Sequence, residues 1–214
     1  QSPSCNWSSM ARGRSCATLA AEDKAALYAL GRAGWSIVES RLHYYRTNLA
    51  DLADLAEPAV AVRAAAEADA EQVRRVAAEN RNPFDRFHAD PVFSSAQADS
   101  FLGEYGAAAV RGFCDVVLVP ANEPLDSFLA VSHLEEDAQR LGVKMGRVVL
   151  TAAGAANRGW HRKLMAETVR YTHNRGGELV LMTTQVTNRA VIHNSEVLGF
   201  KLGGITHIAS CRLL

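Results

Sequence analysis

Residues 148–165 join a short apolar run to a loop of small residues and then to an amphipathic run. In the amphipathic run the apolar positions recur at intervals of three and four, which is the spacing of one helical face. These positions are Leu164, Met165, Thr168, Val169 and Thr172. The helix is therefore predicted to begin near Gly159, and its first backbone N–H groups, which lack partners inside the helix, can bind a phosphate. Arg158, Arg162 and Lys163 add positive charge beside this site.

Two common phosphate-binding loops do not fit this stretch. Gly154 and Gly159 have the separation of a P-loop, but Trp160 and His161 follow where that loop needs Lys and then Ser or Thr. The dinucleotide pattern G-x-G-x-x-G is also absent. A phosphate that binds at this predicted site is therefore expected to belong to another kind of ligand.

The residues downstream continue an α/β pattern. Gly176 and Gly177 end the helix, residues 179–185 form a buried strand, and residues 188–198 form a second helix that ends at Gly199 and Phe200. This order resembles the GCN5-related N-acetyltransferases (GNAT), whose acetyl-CoA loop is Gln/Arg-x-x-Gly-x-Gly/Ala at a helix start. In that pattern the three positions are Ala156, Gly159 and His161, of which only Gly159 matches.

The second half of the family pattern matches better and extends the resemblance over residues 59–214. Asn188, Gly199 and Phe200 stand at the family's offsets, Val191 replaces an Ala, and Ser195 stands where many members have a Tyr. Within the family, the segments 159–164, 184–188 and 86–91 look most like the dTDP-fucosamine acetyltransferases, which acetylate amino groups of nucleotide-activated deoxysugars.

The resemblance implies an α/β (α+β) GNAT fold. We expect a central mixed, mostly antiparallel sheet with a splayed parallel strand pair, flanked by helices, plus a small N-terminal helix–strand piece. It also implies acetyl-CoA (coenzyme A) as the cofactor, with its pyrophosphate on the backbone of residues 157–161 and its pantetheine arm along the strand edge. The cofactor-binding residues expected on this basis are Leu150, Thr151, Ala152, Asn157, Arg158, Gly159, Trp160, His161 and Asn188.

The catalytic groups are less clearly indicated. Ser195 is a weak acid for a departing thiolate, so it is expected to contact the sulfur or to hold a water molecule. His193 and Asn194 are its neighbours, and adjacent helical residues point about 100° apart, so at most one of the three faces the thioester. A lone helical histidine such as His193 is more often simply solvated.

A segment rich in ionisable residues lies at positions 86–90. Because it has flanking prolines, it is predicted to be a loop, and functional groups favour loops. Arg86 suits a phosphate, His88 suits a general base, and Asp90 is a further candidate for substrate binding. The alternative is an ordinary turn in which Asp90 is a cap and Phe87 fills the core.

The pattern of predicted helices and strands that position these residues divides the chain into three regions. Residues 1–20 show no apolar periodicity and are predicted to be a flexible leader. Residues 21–58 give a helix, a Gly-aromatic pair, a strand and a connector, which resembles the chain's own end and suggests part of a second GNAT-like unit. The alternative is that this short motif is merely common. Residues 59–214 form the acetyltransferase domain, in which residues 135–142 are predicted to be a charged loop.

Composition limits the partners. The 214 residues include 23 basic and 23 acidic side chains, so no overall field exists to hold nucleic acid or an anionic membrane. No run approaches the length of a membrane span, and residues 1–20 lack the apolar core of a secretion signal, so a cytoplasmic protein is expected. Cys5, Cys16, Cys114 and Cys211 show no paired spacing, so free thiols and no metal site are expected. A homodimer is left open.

The leading hypothesis is an acetyl-CoA dependent N-acetyltransferase acting on a small-molecule amine, such as an amino deoxysugar nucleotide. One alternative keeps the CoA pocket but performs other acyl chemistry, such as O-acyl transfer or decarboxylation. The other is a CoA-binding or interaction protein without catalysis.

Overall fold

The computed structural model describes residues 14–52, 55, 57–80, 82 and 84–212. These residues form eight strands and seven α-helices. The strands are β1 (Arg14–Ala20), β2 (Ser36–Arg46), β3 (Val62–Ala64), β4 (Val116–Pro120), β5 (Ser127–His133), β6 (Met145–Ala153), β7 (Leu179–Gln185) and β8 (Lys201–Arg212). The helices are α1 (Lys24–Arg32), α2 (Ala70–Glu79), α3 (Arg86–Ala89), α4 (Ser95–Ala108), α5 (Glu135–Leu141), α6 (Trp160–Asn174) and α7 (Arg189–Val197).

All eight strands belong to one sheet in the order β1-β8-β2-β7-β6-β5-β4-β3. Only β6 and β7 run parallel, and every other neighbouring pair in this order is antiparallel. The α6 helix connects the parallel pair, as a crossover connection requires. The predicted mixed, mostly antiparallel sheet with one parallel pair is therefore confirmed.

Helices cover both faces of the sheet, and the central strands are buried on both sides. On β4, Val116 and Leu118 join one apolar cluster and Val117 and Val119 join the other, as the alternation of side chains in a strand requires. The first cluster contains α6 residues such as Leu164 and the second contains α2 residues. The sheet that contains β6 and β7 is thus packed against helices on both of its faces.

The N-terminal residues contribute more to the sheet than the sequence predicted. Residues 14–20, assigned to a flexible leader, form the edge strand β1 and pair with β8 along their whole length, so that part of the prediction is wrong. Half-buried and exposed residues alternate over residues 15–20 of β1, but Leu19 is the only large apolar residue among them, which hid the strand pattern. Residues 1–13 and Cys5 lie outside the described residues.

Strand β2 lies inside the sheet, between β7 and β8. Its backbone pairs with both neighbours, and Tyr44 on β2 belongs to the first apolar cluster. Residues on both sides of the predicted boundary at 58 therefore share one sheet, while the division into units stays a prediction.

Two segments that were predicted to be loops are helical. The α3 helix begins after Asp85, whose Oδ1 accepts the backbone N–H groups of Phe87 at 2.8 Å and His88 at 3.2 Å. Asp85 is thus an N-cap, which the proline-based reasoning did not consider. The charged segment at 135–141 is α5, with three acidic residues in its first turn and Gly142 in the left-handed conformation after its last.

Candidate functional site

The parallel strands β6 and β7 separate along their length. They pair only where Met145–Arg147 lies beside Leu179–Leu181. Beyond this point a cavity of about 530 Å³ opens between them, lined by residues 148–153 of β6 and 182–185 of β7. We call this cavity the gap. It leaves one edge of β6 without a strand partner over residues 148–153, as the resemblance predicted for residues 150–153.

A β-bulge lies on β6 at the wall of the gap. Leu150 is opposite Ala130 on β5 and Val148 is opposite Val131, so Val149 has no partner residue in β5. A bulge leaves an extra residue outside the regular ladder, and bulges are frequent next to active sites. The backbone of Val149 is therefore presented at the gap.

The loop from β6 to α6 is fixed by one carboxylate and one amide. Asp126 Oδ2 accepts the backbone N–H of Ala156 at 2.8 Å, while Asn157 Oδ1 accepts the backbone N–H of Asp126 at 2.9 Å. A Cβ atom on Gly154 would lie 2.3 Å from Asp126 Oδ2, so a larger residue there would displace the carboxylate that holds the loop. Asn157, predicted to bind cofactor, is 1% exposed, and its Oδ1 atom holds this loop.

The α6 helix begins without a side-chain cap. Gly159 is its N-cap with φ 88°, and the first turn contains no acidic residue. By contrast, side chains of Asp23, Asp85, Ser94 and Asn188 cap α1, α3, α4 and α7. The α6 helix thus presents unshared N–H groups and the positive end of its dipole to a ligand.

The cations beside this helix start have different environments. Arg158 is exposed, and Lys163 Nζ lies 4.9 Å from the ring centroid of Trp160, which is itself buried. Arg162 donates from Nε to Glu57 Oε2 at 2.5 Å, so its charge is paired. Arg158 and Lys163 are therefore the cations best placed to serve an anion at Gly159.

His161 lies in the first turn of α6 and lines the gap. Its Nδ1 accepts a hydrogen bond from Asn194 Nδ2 at 3.1 Å, and its Nε2 is buried without a partner among the described residues. Burial lowers the pKa of His161 from 6.5 to about 4. The ring is therefore neutral at pH 7, and the proton on Nε2 is a buried donor with no acceptor among the described residues, which is a reason to expect a ligand there.

The predicted catalytic residues of α7 do not face the gap. Ser195 is fully buried, and its Oγ donates to the backbone carbonyl of Val191 at 2.7 Å. His193 is exposed to solvent. Of the three neighbours it is Asn194 that lines the gap, together with Asn188, whose Oδ1 also accepts the N–H of Val191 at the start of α7. The catalytic roles of Ser195 and His193 stay predictions, and the hydrogen bond of Ser195 favours a structural role for that residue.

His88 is clamped between two carboxylates. Its Nδ1 lies 2.6 Å from Asp85 Oδ2, its Nε2 lies 3.0 Å from Asp99 Oδ1, and its side chain is 5% exposed. Asp90 is 2% exposed, and its Oδ2 accepts a hydrogen bond from Ser210 on β8. Both residues thus have structural contacts, and their predicted catalytic and substrate-binding roles stay untested.

A smaller cavity of about 270 Å³ adjoins the gap on the side of α3 and α4. We call it the side pocket. It shares Val148, Val149 and residues 183–185 with the gap. Arg86 lines it together with Phe87, Phe101, Tyr105 and Arg41, and the predicted role of Arg86 in substrate binding stays a prediction.

The sequence analysis missed Arg41 because it lies on β2. The carboxylate of Glu39 holds it: Arg41 Nε donates to Oε2 at 2.6 Å, and Gln185 Nε2 donates to Oε1 at 2.9 Å. The Glu39 side chain is 1% exposed. The sequence offered one signal for this arrangement, which is the acidic residue Glu39 on a predicted strand. A single sequence does not show which cation this carboxylate pairs with.

Comparison with solved structures identifies the fold, whereas no protein-family model and no curated protein sequence matches the chain. A GCN5-related N-acetyltransferase from Sphaerobacter thermophilus aligns with a TM-score of 0.58 at 11% identity, over 94% of this chain and 60% of that one. A tandem GNAT protein from the clavulanic acid biosynthesis pathway gives 0.56 at 16% identity, over 94% and 64%. N-myristoyltransferase from Saccharomyces cerevisiae with bound myristoyl-CoA gives 0.53 at 12% identity, over 83% and 49%.

The fold is therefore that of the GCN5-related N-acetyltransferases, as the sequence predicted. The chain spans less than two thirds of the length of each of these three proteins. None of the described helices is long and apolar enough to cross a membrane. The described part of the chain places no three His, Cys, Asp or Glu residues where they could hold a metal ion, and Cys16 and Cys114 are free thiols.

Proposed function

We propose that the protein is an acyl-CoA dependent N-acyltransferase that acts on a small-molecule amine. The observation that carries this proposal is the gap between β6 and β7, which ends at a helix start with no side-chain cap. An open strand edge and a free helix N-terminus in one continuous site suit a ligand that has amide groups along an arm and phosphates at one end. Acetyl-CoA has both features.

The residues present fit such a ligand. The N–H groups of the first turn of α6 would bind the pyrophosphate, with Arg158 and Lys163 adding charge. The edge of β6 over residues 148–153 would pair with the amides of the pantetheine arm, since backbone groups at a strand edge accept an added strand-like partner. Gly159, with open space around its Cα, allows the phosphates to approach.

When bound, acetyl-CoA supplies an acetyl group on a thioester. The backbone at the Val149 bulge and the Nε2–H of His161 are the donors that line the gap and can polarise a carbonyl. His161 acts here as a neutral hydrogen-bond donor, because with a pKa of about 4 its acidic imidazolium form is scarcely populated at pH 7. Asn194 fixes the ring by its hydrogen bond to Nδ1.

Release of the thiol requires a proton donor. Ser195, at the position of the family's Tyr, donates a hydrogen bond to the backbone carbonyl of Val191 and lies outside the gap. Tyr105 is the phenol that lines the side pocket, and we assign it the role of candidate acid because a phenol can donate a proton and then recover it. The sequence analysis missed Tyr105 because the family Tyr is expected on α7 and Tyr105 lies on α4.

The acceptor amine would enter by the side pocket. Its volume of about 270 Å³ lies just below the usual range of small-molecule sites, so it encloses a small amine or one end of a larger molecule. An amino deoxysugar nucleotide, the acceptor that the sequence resemblance suggested, would have to leave its nucleotide outside. Arg86 on the wall supports an acceptor with a phosphate.

Calorimetry with acetyl-CoA on the protein and its Gly159→Asp variant tests this proposal. We expect the substitution to weaken binding by about 100-fold or more, since it places a carboxylate where the phosphates sit. Because Gly159 has φ 88°, the substitution also strains the backbone, and a control with the same strain is needed to separate the two effects.

Gly112→Asp is the matched control. Gly112 has φ 98° and ψ 11°, close to the 88° and −11° of Gly159, and both glycines have open space around the Cα. The control should keep full affinity. Equal affinity in both variants would move the phosphate site elsewhere. Tight binding without release of free CoA in the presence of any amine would instead favour the non-catalytic alternative.

A further inference from the structure

The side pocket holds two guanidinium groups at its wall, Arg41 from β2 and Arg86 from α3. The Arg41 side chain is 31% exposed and is bonded through Nε alone to Glu39. Among the described residues, neither terminal NH₂ group of Arg41 has an acceptor. The Cζ of Arg86 lies 5.2 Å from the ring centroid of Phe87. Two positive charges thus border a small pocket.

The position of Arg41 is fixed by a network that reaches across the sheet. Glu39 accepts from Arg41 and from Gln185, and Gln185 Oε1 in turn accepts from Asn82 Nδ2 at 2.9 Å. Because the Glu39 carboxylate is buried and both its oxygens are used, it holds the guanidinium in one orientation. The terminal NH₂ groups of Arg41 therefore form a preorganised pair of donors.

A second part of the pocket wall is aromatic. The rings of Phe87 and Phe101 lie 4.4 Å apart between centroids, and those of Phe101 and Tyr105 lie 6.0 Å apart. Val148 and Val149, which also line the gap, form the wall on the side toward the gap. A ligand that fills this space contacts apolar rings at one wall and cations at another.

We propose that the acyl acceptor is a small amine that carries an anionic group, a carboxylate or a phosphate, bound by Arg41 together with Arg86. This inference rests on the proposed N-acyltransferase function and names its substrate class. Arg41 binds the acceptor directly, and Glu39 is a positioning residue that orients Arg41. The N-terminal segment of the chain thereby sets the acceptor specificity.

Steady-state release of free CoA with matched amines tests the substrate class. Phenylalanine against phenethylamine adds a carboxylate, and O-phosphoethanolamine against ethanolamine adds a phosphate. We expect the anionic member of at least one pair to have a kcat/KM at least about tenfold higher, because a site built for a charged group rejects the analogue that lacks it. The pair that shows the preference tells carboxylate from phosphate.

Arg41→Met should remove the preference by raising KM for the anionic amine by about tenfold or more, with the affinity for acetyl-CoA unchanged. Arg63→Met is the control, since Arg63 on β3 is 42% exposed and pairs with Asp69 away from the pocket. If Arg41→Met destabilises the fold by exposing the Glu39 charge, the double variant Glu39→Gln/Arg41→Met removes that charge and gives the same readout.

Glu39→Gln alone separates positioning from mere stability. It should raise KM for the anionic amine without lowering kcat, since the guanidinium remains but is less well oriented.

The outcomes separate this inference from the function on which it rests. Equal rates for charged and uncharged amines, or acetylation of the uncharged amines alone, would overturn the substrate class, whereas acetyl-CoA binding with no amine acetylated would favour the non-catalytic alternative. Failure of acetyl-CoA to bind at all would overturn the proposed function itself.

Discussion

The gap and the side pocket meet at Val148 and Val149, but they differ in the chemical groups that form their walls. The gap is formed by backbone: the free edge of β6, the bulge at Val149 and the N–H groups at the start of α6. The side pocket is formed by side chains from β2, α3, α4 and β7, elements that are far apart in the sequence. A backbone site depends on conformation, whereas a side-chain site depends on residue identity.

This difference explains why the phosphate loop matches its family pattern so weakly. Of the three motif positions only Gly159 is shared, and Gly159 is the one whose φ of 88° requires glycine. His161 and Ala156 at the other positions leave the backbone N–H groups in place. The gap therefore tolerates sequence change, while a single substitution at Arg41 is expected to alter the side pocket.

The largest effect should come from removing the support of the side pocket. His88→Ala deletes a ring that contacts both Asp85 and Asp99, and we expect it to lower the free energy of unfolding by about 3 kcal/mol. The affinity for acetyl-CoA, measured at equal folded fraction, should stay within about twofold, because α6 does not depend on this ring. Urea unfolding and calorimetry measure the two quantities.

His193→Ala is the control for this prediction, since His193 is exposed and should contribute almost nothing to stability. If His88→Ala left stability unchanged but abolished turnover, His88 would be a catalytic base, as the sequence suggested.

A smaller effect should appear in the gap when the pH is lowered. The pKa of His161 is about 4 in the folded chain and 6.5 without burial, so between these values the unfolded chain binds a proton that the folded chain does not. Stability from this residue is therefore complete above pH 6.5 and falls by about 2 kcal/mol toward pH 4.5. Urea unfolding of the protein and of His161→Gln at pH 7 and 4.5 measures the difference.

The subtraction is needed because burial and Arg41 also lower the pKa of His43, and both proteins share that contribution. Identical pH dependence in the two proteins would show that the His161 ring is hydrated and would remove the argument for a buried donor.

The smallest effect concerns Ser195. Ser195→Ala removes a hydrogen bond to the carbonyl of Val191, which should cost about 1 kcal/mol of stability and leave turnover near the normal value. Thr168→Val is a matched control, because Thr168 is also fully buried and donates to the carbonyl of Leu164 four residues earlier. A large loss of turnover for Ser195→Ala alone would make this serine a working group of the site.

The sequence by itself determined the features that depend on local pattern. The spacing of Leu164, Met165 and Val169 set α6, Gly159 set its start, and the apolar run at 179–185 set β7. A helix of this length between two strands suits a crossover connection, and β6 and β7 are indeed parallel. The gap between them was expected only from the resemblance to the GNAT family.

Only the tertiary structure decided which side chains meet. Ser195 and Asn194 are adjacent in the sequence, yet one is buried inside α7 and the other lines the gap, because a helix turns by about 100° per residue. Likewise β2 enters the sheet beside β7 and brings Arg41 opposite Gln185, a pairing across 144 positions that backbone hydrogen bonds fix and no local pattern encodes.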